Sequence, residues 1–310
     1  MIAITEVTKR FGDKEALAGI TLEITDGGIY GIVGSNGAGK STLLRVLAGI
    51  HEPESGAVRY DGEAVPDNTE LLGQMAYVSD NVWFPPFKNL RQIAKFYRRY
   101  YKSFSMERFE DLVKRLGIDT ETEVRRGSRG MQKQAAMALA IAKCPKYYLL
   151  DETLDGLDIV MRDAVKEMLF DDLCERQATV IITSHSLREL ENMCDRLALL
   201  HQGKLILESD VESMKESLVK LQLALNEPVT KEQLEAAAGV PCVSFERNSK
   251  TVTAVLRMER AEQAELERRL AVLHPLMTEV APLGLEELFL SEMKANGYSV
   301  KRPEEKGEAL

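Results

Sequence analysis

The chain has 310 residues, 45% of them hydrophobic and 29% charged, with a formal net charge of −9. That balance fits a soluble globular protein with room for one large domain and a smaller one, and it argues against a nucleic-acid partner. No apolar stretch approaches the ~20 residues that span a bilayer. No signal peptide is read, and Cys144, Cys174, Cys194 and Cys242 form no C-x-x-C pair, so they read as reduced thiols.

In chain order, residues 2–7 and 20–24 read as strands, with a loop near Arg10, Phe11 and Lys14. Asp26, Gly27 and Gly28 mark a turn into an apolar strand over 29–33. Immediately after it, Gly34, Ser35, Asn36, Gly37, Ala38, Gly39, Lys40, Ser41 and Thr42 match G-x-x-x-x-G-K-[ST] at every fixed position. Residues 43–48 then read as a helix ending at Gly49. The glycines let successive backbone N–H groups point inward at a polyphosphate, and the helix N-terminus adds partial positive charge. In such a loop Lys40 reaches the β- and γ-phosphates and Ser41 ligates Mg²⁺. The bland alternative, a Gly-rich turn with a chance lysine, does not account for the flanking strand and helix. This stretch points to a nucleoside triphosphate.

Short strands follow over 57–60 and 75–78, then an aromatic, proline-rich segment with Trp83, Phe84 and Phe87. Residues 90–116 read as helical and mostly polar, with Arg98 and Arg99 on a solvated face. Two buried parallel strands come next: 147–150 runs into Asp151 and Glu152, and 179–183 runs into Ser184 and His185. Chemistry gathers at the carboxyl ends of such strands. An aspartate there can hold Mg²⁺, and an adjacent glutamate can polarise an attacking water. An isolated Asp-Glu pair would more simply cap a helix, and a lone histidine would more often be structural. On the sheet edge that carries a phosphate loop, those readings are the weaker ones. Ser186 and Glu189 have the spacing of a capping box, and 196–200 with 204–207 reads as a hairpin turning at Gln202 and Gly203.

Beyond residue 215 the chain changes character. Leu221, Leu223 and Leu225 alternate; Thr230 and Gln233 form a second capping box before a helix ending at Ala238. Strands over 242–246 and 252–256, a helix over 261–273 and a strand over 277–281 complete the order β-α-β-β-α-β, which suggests a ferredoxin-like second domain. The expected division is 1–214, 215–298 and a charged tail over 299–310.

Taken together, the motifs over residues 1–210 resemble the nucleotide-binding subunit of ABC (ATP-binding cassette) transporters, in the family's order. The resemblance implies an α/β P-loop NTPase cassette: a parallel core sheet, a helical subdomain and an antiparallel β subdomain, followed here by the small α+β domain. It makes Phe11 the aromatic that stacks on adenine, residues 34–42 the Walker A loop, Asp151 the Walker B aspartate and Glu152 the catalytic glutamate. Asp155 and Asp158 bound the D-loop, and His185 is the switch histidine.

Three departures from the family pattern stand out. Its Leu-Ser-Gly-Gly-Gln signature corresponds to Gly127, Ser128, Arg129, Gly130 and Met131, so Ser128 and Gly130 survive to face a partner's γ-phosphate. This variant resembles one seen in exporter subunits. The glutamine expected after residue 79 is Asp80, an acid that could still reach Mg²⁺. The proline usual after Glu152 is Thr153. The resemblance implies ATP and Mg²⁺ as cofactors, head-to-tail pairing as a homodimer or heterodimer, and a separately encoded transmembrane permease. It also implies a cytoplasmic location at the inner face of the membrane, with Trp83, Phe84 and Phe87 where the permease docks. Residues 284–290 resemble the terminal segment of ABC-2-type exporter subunits. Two other readings stay open: a nucleotide-dependent interaction module outside transport, and a hydrolysis-impaired half of a heterodimer.

Overall fold

The computed structural model describes residues 1–86, 89–213, 218–258, 262–281, 283–287 and 289. Phe87, the tail over 299–310 and part of the 284–290 segment lie outside the described residues. The chain forms two compact units, Met1–Glu208 and Ser209–Leu310.

The first unit opens with β1 (Ile2–Phe11), β2 (Lys14–Ile24), β3 (Ile29–Val33), α1 (Lys40–Leu47), β4 (Ser55–Tyr60), β5 (Glu63–Ala64), α2 (Thr69–Gly73) and β6 (Met75–Val78). It continues with α3 (Leu90–Tyr100), α4 (Met106–Arg115), α5 (Arg129–Ala142), β7 (Tyr147–Asp151) and α6 (Ile159–Arg176). β8 (Thr179–Ser184), α7 (Leu187–Leu190), β9 (Arg196–His201) and β10 (Lys204–Asp210) follow. The strands build an antiparallel sheet ordered β2-β1-β4-β5 and a sheet ordered β10-β9-β3-β8-β7-β6. In the latter, β3 runs parallel to β8 and β9, and β7 parallel to β6 and β8.

β1 and β2 extend beyond the strands expected over 2–7 and 20–24. They pair through to Phe11 and Lys14, with register irregularities near residues 4–9 and a positive φ of 47° at Glu6. Those bulges break the period-2 alternation that marks a strand in sequence. β3, β7 and β8 are buried at every position, as strands covered on both faces must be. α1 is sandwiched between the two sheets. Its Leu43, Leu44 and Leu47 share one core with Ile4 and Val58 of the antiparallel sheet and with Ile32 and Ile181 of the parallel one.

The helical stretch expected over 90–116 is two helices. The break between them is anchored to the end of α5: the Ser103 hydroxyl donates to the Lys143 carbonyl at 2.7 Å and the Ser105 N–H to that of Ala142 at 2.8 Å. Ser105 then accepts from the Arg108 N–H and starts α4 as its N-cap. The box expected at Ser186 does not form. The Ser186 side chain makes no cap bond; Glu189 instead accepts from the Ser184 hydroxyl at 3.1 Å and pairs with Arg162 at 3.0 Å.

The second unit carries β11 (Leu218–Ala224), α8 (Lys231–Ala238), β12 (Cys242–Asn248), β13 (Thr251–Arg257), α9 (Gln263–Leu270) and β14 (Met277–Ala281). Its antiparallel sheet has the order β12-β13-β11-β14, the ferredoxin-like arrangement. Val219, Leu221 and Leu223 form one core with Leu234, Leu266 and Leu270 from the two helices. The box at Thr230 is complete: its hydroxyl accepts from the Gln233 N–H and the Gln233 side chain accepts from the Thr230 N–H. No helix among the described residues is long and apolar enough to cross a membrane.

Candidate functional site

The loop between β3 and α1 has a shape only glycine permits at two points. A Cβ on Gly34 would lie 2.3 Å from the Leu200 carbonyl oxygen. Gly39, with φ of 109°, would bring one within 2.6 Å of the Ala16 carbonyl oxygen. The backbone therefore packs against two neighbouring strands while the loop curls over the start of α1. Phe11, Asn36, Gly37, Ala38, Gly39, Lys40, Ser41, Thr42 and Glu152 line a depression of about 380 Å³. Phe11 stands at its rim, half-exposed, edge-on to His51 with centroids 5.4 Å apart.

Lys40 is only 4% exposed, and its ammonium is fully engaged. It donates to the Gly34 carbonyl at 2.8 Å and lies 3.1 Å from a Glu152 carboxylate oxygen. A buried cation needs such partners, and phosphate oxygens can take their place. At the end of β7, Asp151 Oδ1 accepts from the Ser41 and Thr183 hydroxyls, both at 2.9 Å, and the Tyr77 hydroxyl is 3.4 Å from Oδ2. The Ser41 and Asp151 oxygens are thus spaced as adjacent ligands of an octahedral Mg²⁺ would be, about 2.9–3.0 Å for bonds of about 2.1 Å.

Glu152 follows Asp151 with φ of 49°, a left-handed conformation uncommon for a side-chain-bearing residue. Both flanks of its backbone are tied. The Glu152 N–H donates to Thr183 Oγ1 at 3.0 Å, and its carbonyl accepts from Lys133 Nζ at 2.8 Å. Carboxylate and imidazole atoms of Glu152, Asp155 and His185 converge within 4.8 Å. His185 is 57% exposed and meets Asp155 through Nδ1 at 2.9 Å. Burial, reinforced by the hydrogen-bonded Glu189 carboxylate, pushes Asp155 up to about 6; His185 acts against that shift and Glu152 adds to it.

The remaining candidates stand apart from the phosphate loop. Ser128 caps α5, accepting from the Met131 N–H at 3.2 Å, and Asp158 caps α6, accepting from the Met161 N–H at 2.9 Å. Gly130 lines a separate depression of about 290 Å³ beside Asp80, Lys133 and Asp155. Asp80, expected as a metal ligand, places its carboxylate on Lys133 Nζ at 2.8 Å. Of the aromatics expected at a docking face, Phe84 is buried while Trp83 is 76% exposed.

Three site residues escape a motif search. Thr183 is signalled only as a hydroxyl within an apolar strand, Tyr77 only as the phenol of β6, and Lys133 only as a cation where α5 turns to alanine. None has a spacing rule. Each is found by the hydrogen bond it makes.

A family model described as "ABC transporter" matches residues 17–155. The ABC transporter ATP-binding protein YtrB of Bacillus subtilis (strain 168) is 31% identical over 229 residues, covering 74% of this chain and 78% of that protein. The Nod factor export ATP-binding protein I of Burkholderia lata is 33% identical, over 70% of this chain and 73% of its own. Among solved structures, the dimeric post-hydrolysis ATP-binding cassette MJ0796 bound to ADP and Pi superposes with a TM-score of 0.61. It is 23% identical and covers 68% of this chain and 99% of that one.

Proposed function

The chain belongs to the ATP-binding proteins of ABC transporters, and we propose that it is the ATP-hydrolysing subunit of an exporter whose permease is a separate chain. The arrangement at Lys40 carries this reading: a buried lysine in a phosphate loop, paired at 3.1 Å with the glutamate that follows the Asp151 strand end. ATP would sit in the depression over residues 34–42 with its base against Phe11. Lys40 exchanges Glu152 for phosphate oxygens, which leaves that carboxylate free to accept a proton from water. Ser41 and Asp151 would hold Mg²⁺, which supplies neutralisation of phosphate charge. His185, beside Asp155, donates toward the terminal phosphate.

A second cassette, another copy or a different subunit, would present its Ser128–Gly130 equivalent across the nucleotide, with Asp158 at the junction. The dimeric state of the MJ0796 cassette supports that part of the reading. Export is favoured by the Nod factor export relative and by the Arg129 and Met131 variant of the signature. The accessory domain is read as a dimerisation or regulatory element.

The test is hydrolysis by the purified chain with Mg·ATP, beside Glu152→Gln. The wild type turns over, whereas the variant retains ATP binding and loses about 100-fold or more in rate, since the base is removed and the phosphate cradle kept. Loss of ATP binding in the variant, or turnover unchanged, contradicts the assignment of Glu152.

A further inference from the structure

We propose that Lys133 and Asp80 act as a positioning pair for Glu152, tying its backbone to the segment after β6 and to the signature helix. The proposal rests on the reading of Glu152 as the base. Lys133 lies near the start of α5, five residues past Ser128, and is only 6% exposed. Its ammonium makes three charge-assisted bonds, to Asp80 Oδ1 at 2.8 Å, the Glu152 carbonyl at 2.8 Å and the Asp155 carbonyl at 2.7 Å. Two of the acceptors lie in the loop between β7 and α6, and the third lies in the segment after β6. One buried cation therefore fastens the acidic turn, the segment carrying Asp155 and the segment after β6 to the helix that opens at Ser128 and Gly130.

The consequence falls on Glu152. Its positive φ must be held by surroundings, and the only described hydrogen bonds to its backbone are those from Lys133 and to Thr183. Remove the ammonium and the carbonyl side of that turn is released, while the phosphate loop, held through Lys40 and Gly34, keeps its own contacts. Asp80 supplies the counter-charge from the solvent side, being 57% exposed. The acid at the position where the family has a glutamine is thereby explained together with the lysine: each is the other's partner. A displaced Glu152 carboxylate costs rate and leaves ground-state nucleotide binding in place.

Five proteins separate the possibilities: wild type, Lys133→Met, Asp80→Asn, Glu152→Gln and the double variant Lys133→Met with Glu152→Gln, each measured for ATP affinity, turnover and amide exchange of the peptide over 149–157. Lys133→Met should bind ATP within about twofold of wild type and lose about 100-fold in turnover, as expected for a base moved by an ångström. Its 149–157 peptide should exchange faster, with the peptide over 34–42 unchanged. Asp80→Asn, which keeps both carbonyl contacts of the ammonium, should shift both readouts the same way by a smaller factor and leave the Mg²⁺ concentration for half-maximal turnover unchanged. Lys133→Met added to Glu152→Gln should lower turnover no further. Unchanged exchange over 149–157 in Lys133→Met overturns the proposal even if no protein hydrolyses ATP. A shifted Mg²⁺ requirement in Asp80→Asn also overturns it, by making Asp80 a metal ligand. Wild-type turnover surviving Glu152→Gln refutes the assignment of the base instead, and the exchange data still decide the positioning.

Discussion

At the scale of single residues, the site works through charges that are buried and answered. Lys40 and Lys133 are both nearly inaccessible, and each ends on a carboxylate and on backbone carbonyls. Asp155 is different. Its carboxyl is pushed up to about 6 from an ordinary 3.8 by burial and by Glu189, so ionisation opposes folding. Because the folded value is raised, the stability that Asp155 contributes is complete below its ordinary value and is lost as pH rises through about 6. Asp155→Asn should therefore melt higher than the wild type at about pH 7.5 and match it at about pH 4, in nucleotide-free protein. A difference of equal size at both pH values would contradict this account. The residues of the phosphate loop, Asp151, Glu152 and His185 were all legible in sequence, because the strand–loop–helix context leaves few alternatives. Thr183, Tyr77 and Lys133 were not, since their roles arise where separate segments meet.

At the scale of elements, capping decides several boundaries. Thr230 and Gln233 satisfy two orphan N–H groups at the start of α8, so Thr230→Ala should cost about 1 kcal/mol and lower the melting temperature of the second unit by about 4–8 °C. Unaltered melting would mean that this cap is idle. The same four-residue spacing at Ser186 gives no box, because Arg162 and Ser184 claim Glu189 first. Residues 90–116 mislead for a related reason. Their polarity is continuous with helix, and the break at 101–105 is fixed by carbonyls at the far end of α5. Sequence periodicity reports a helix face; it carries no record of which distant carbonyl a serine will find. Asp172 is another such case: buried on α6, it gathers Arg108, Arg176 and the Tyr148 hydroxyl.

At the scale of the whole molecule, the order β10-β9-β3-β8-β7-β6 places the ends of β3, β7 and β8 side by side, and these are the ends that carry Gly34, Glu152 and His185. The alternation of strand and helix made a parallel sheet legible, but strand order depends on pairings across more than a hundred residues, for which local pattern holds no signal. In the second unit, by contrast, six elements in sequence were enough to name the arrangement, because few sheets satisfy β-α-β-β-α-β. Each unit has its own core, so nucleotide should stabilise only the first. At a hundredfold excess of Mg·ATP over Kd, the first unit should gain about 2.7 kcal/mol, raising its transition by roughly 5–10 °C. The transition of the second unit should stay fixed; equal shifts in both would show one cooperative body instead.

The proposed role of Glu152, to end an ATP-bound paired state, is tested most directly by light scattering of Glu152→Gln with Mg·ATP. A dimer that forms only with ATP, and that the wild type does not accumulate, is the predicted result. An ATP-dependent dimer that the wild type accumulates to the same extent would contradict that role for Glu152, whereas a variant that binds ATP yet remains a monomer points to a different partner subunit.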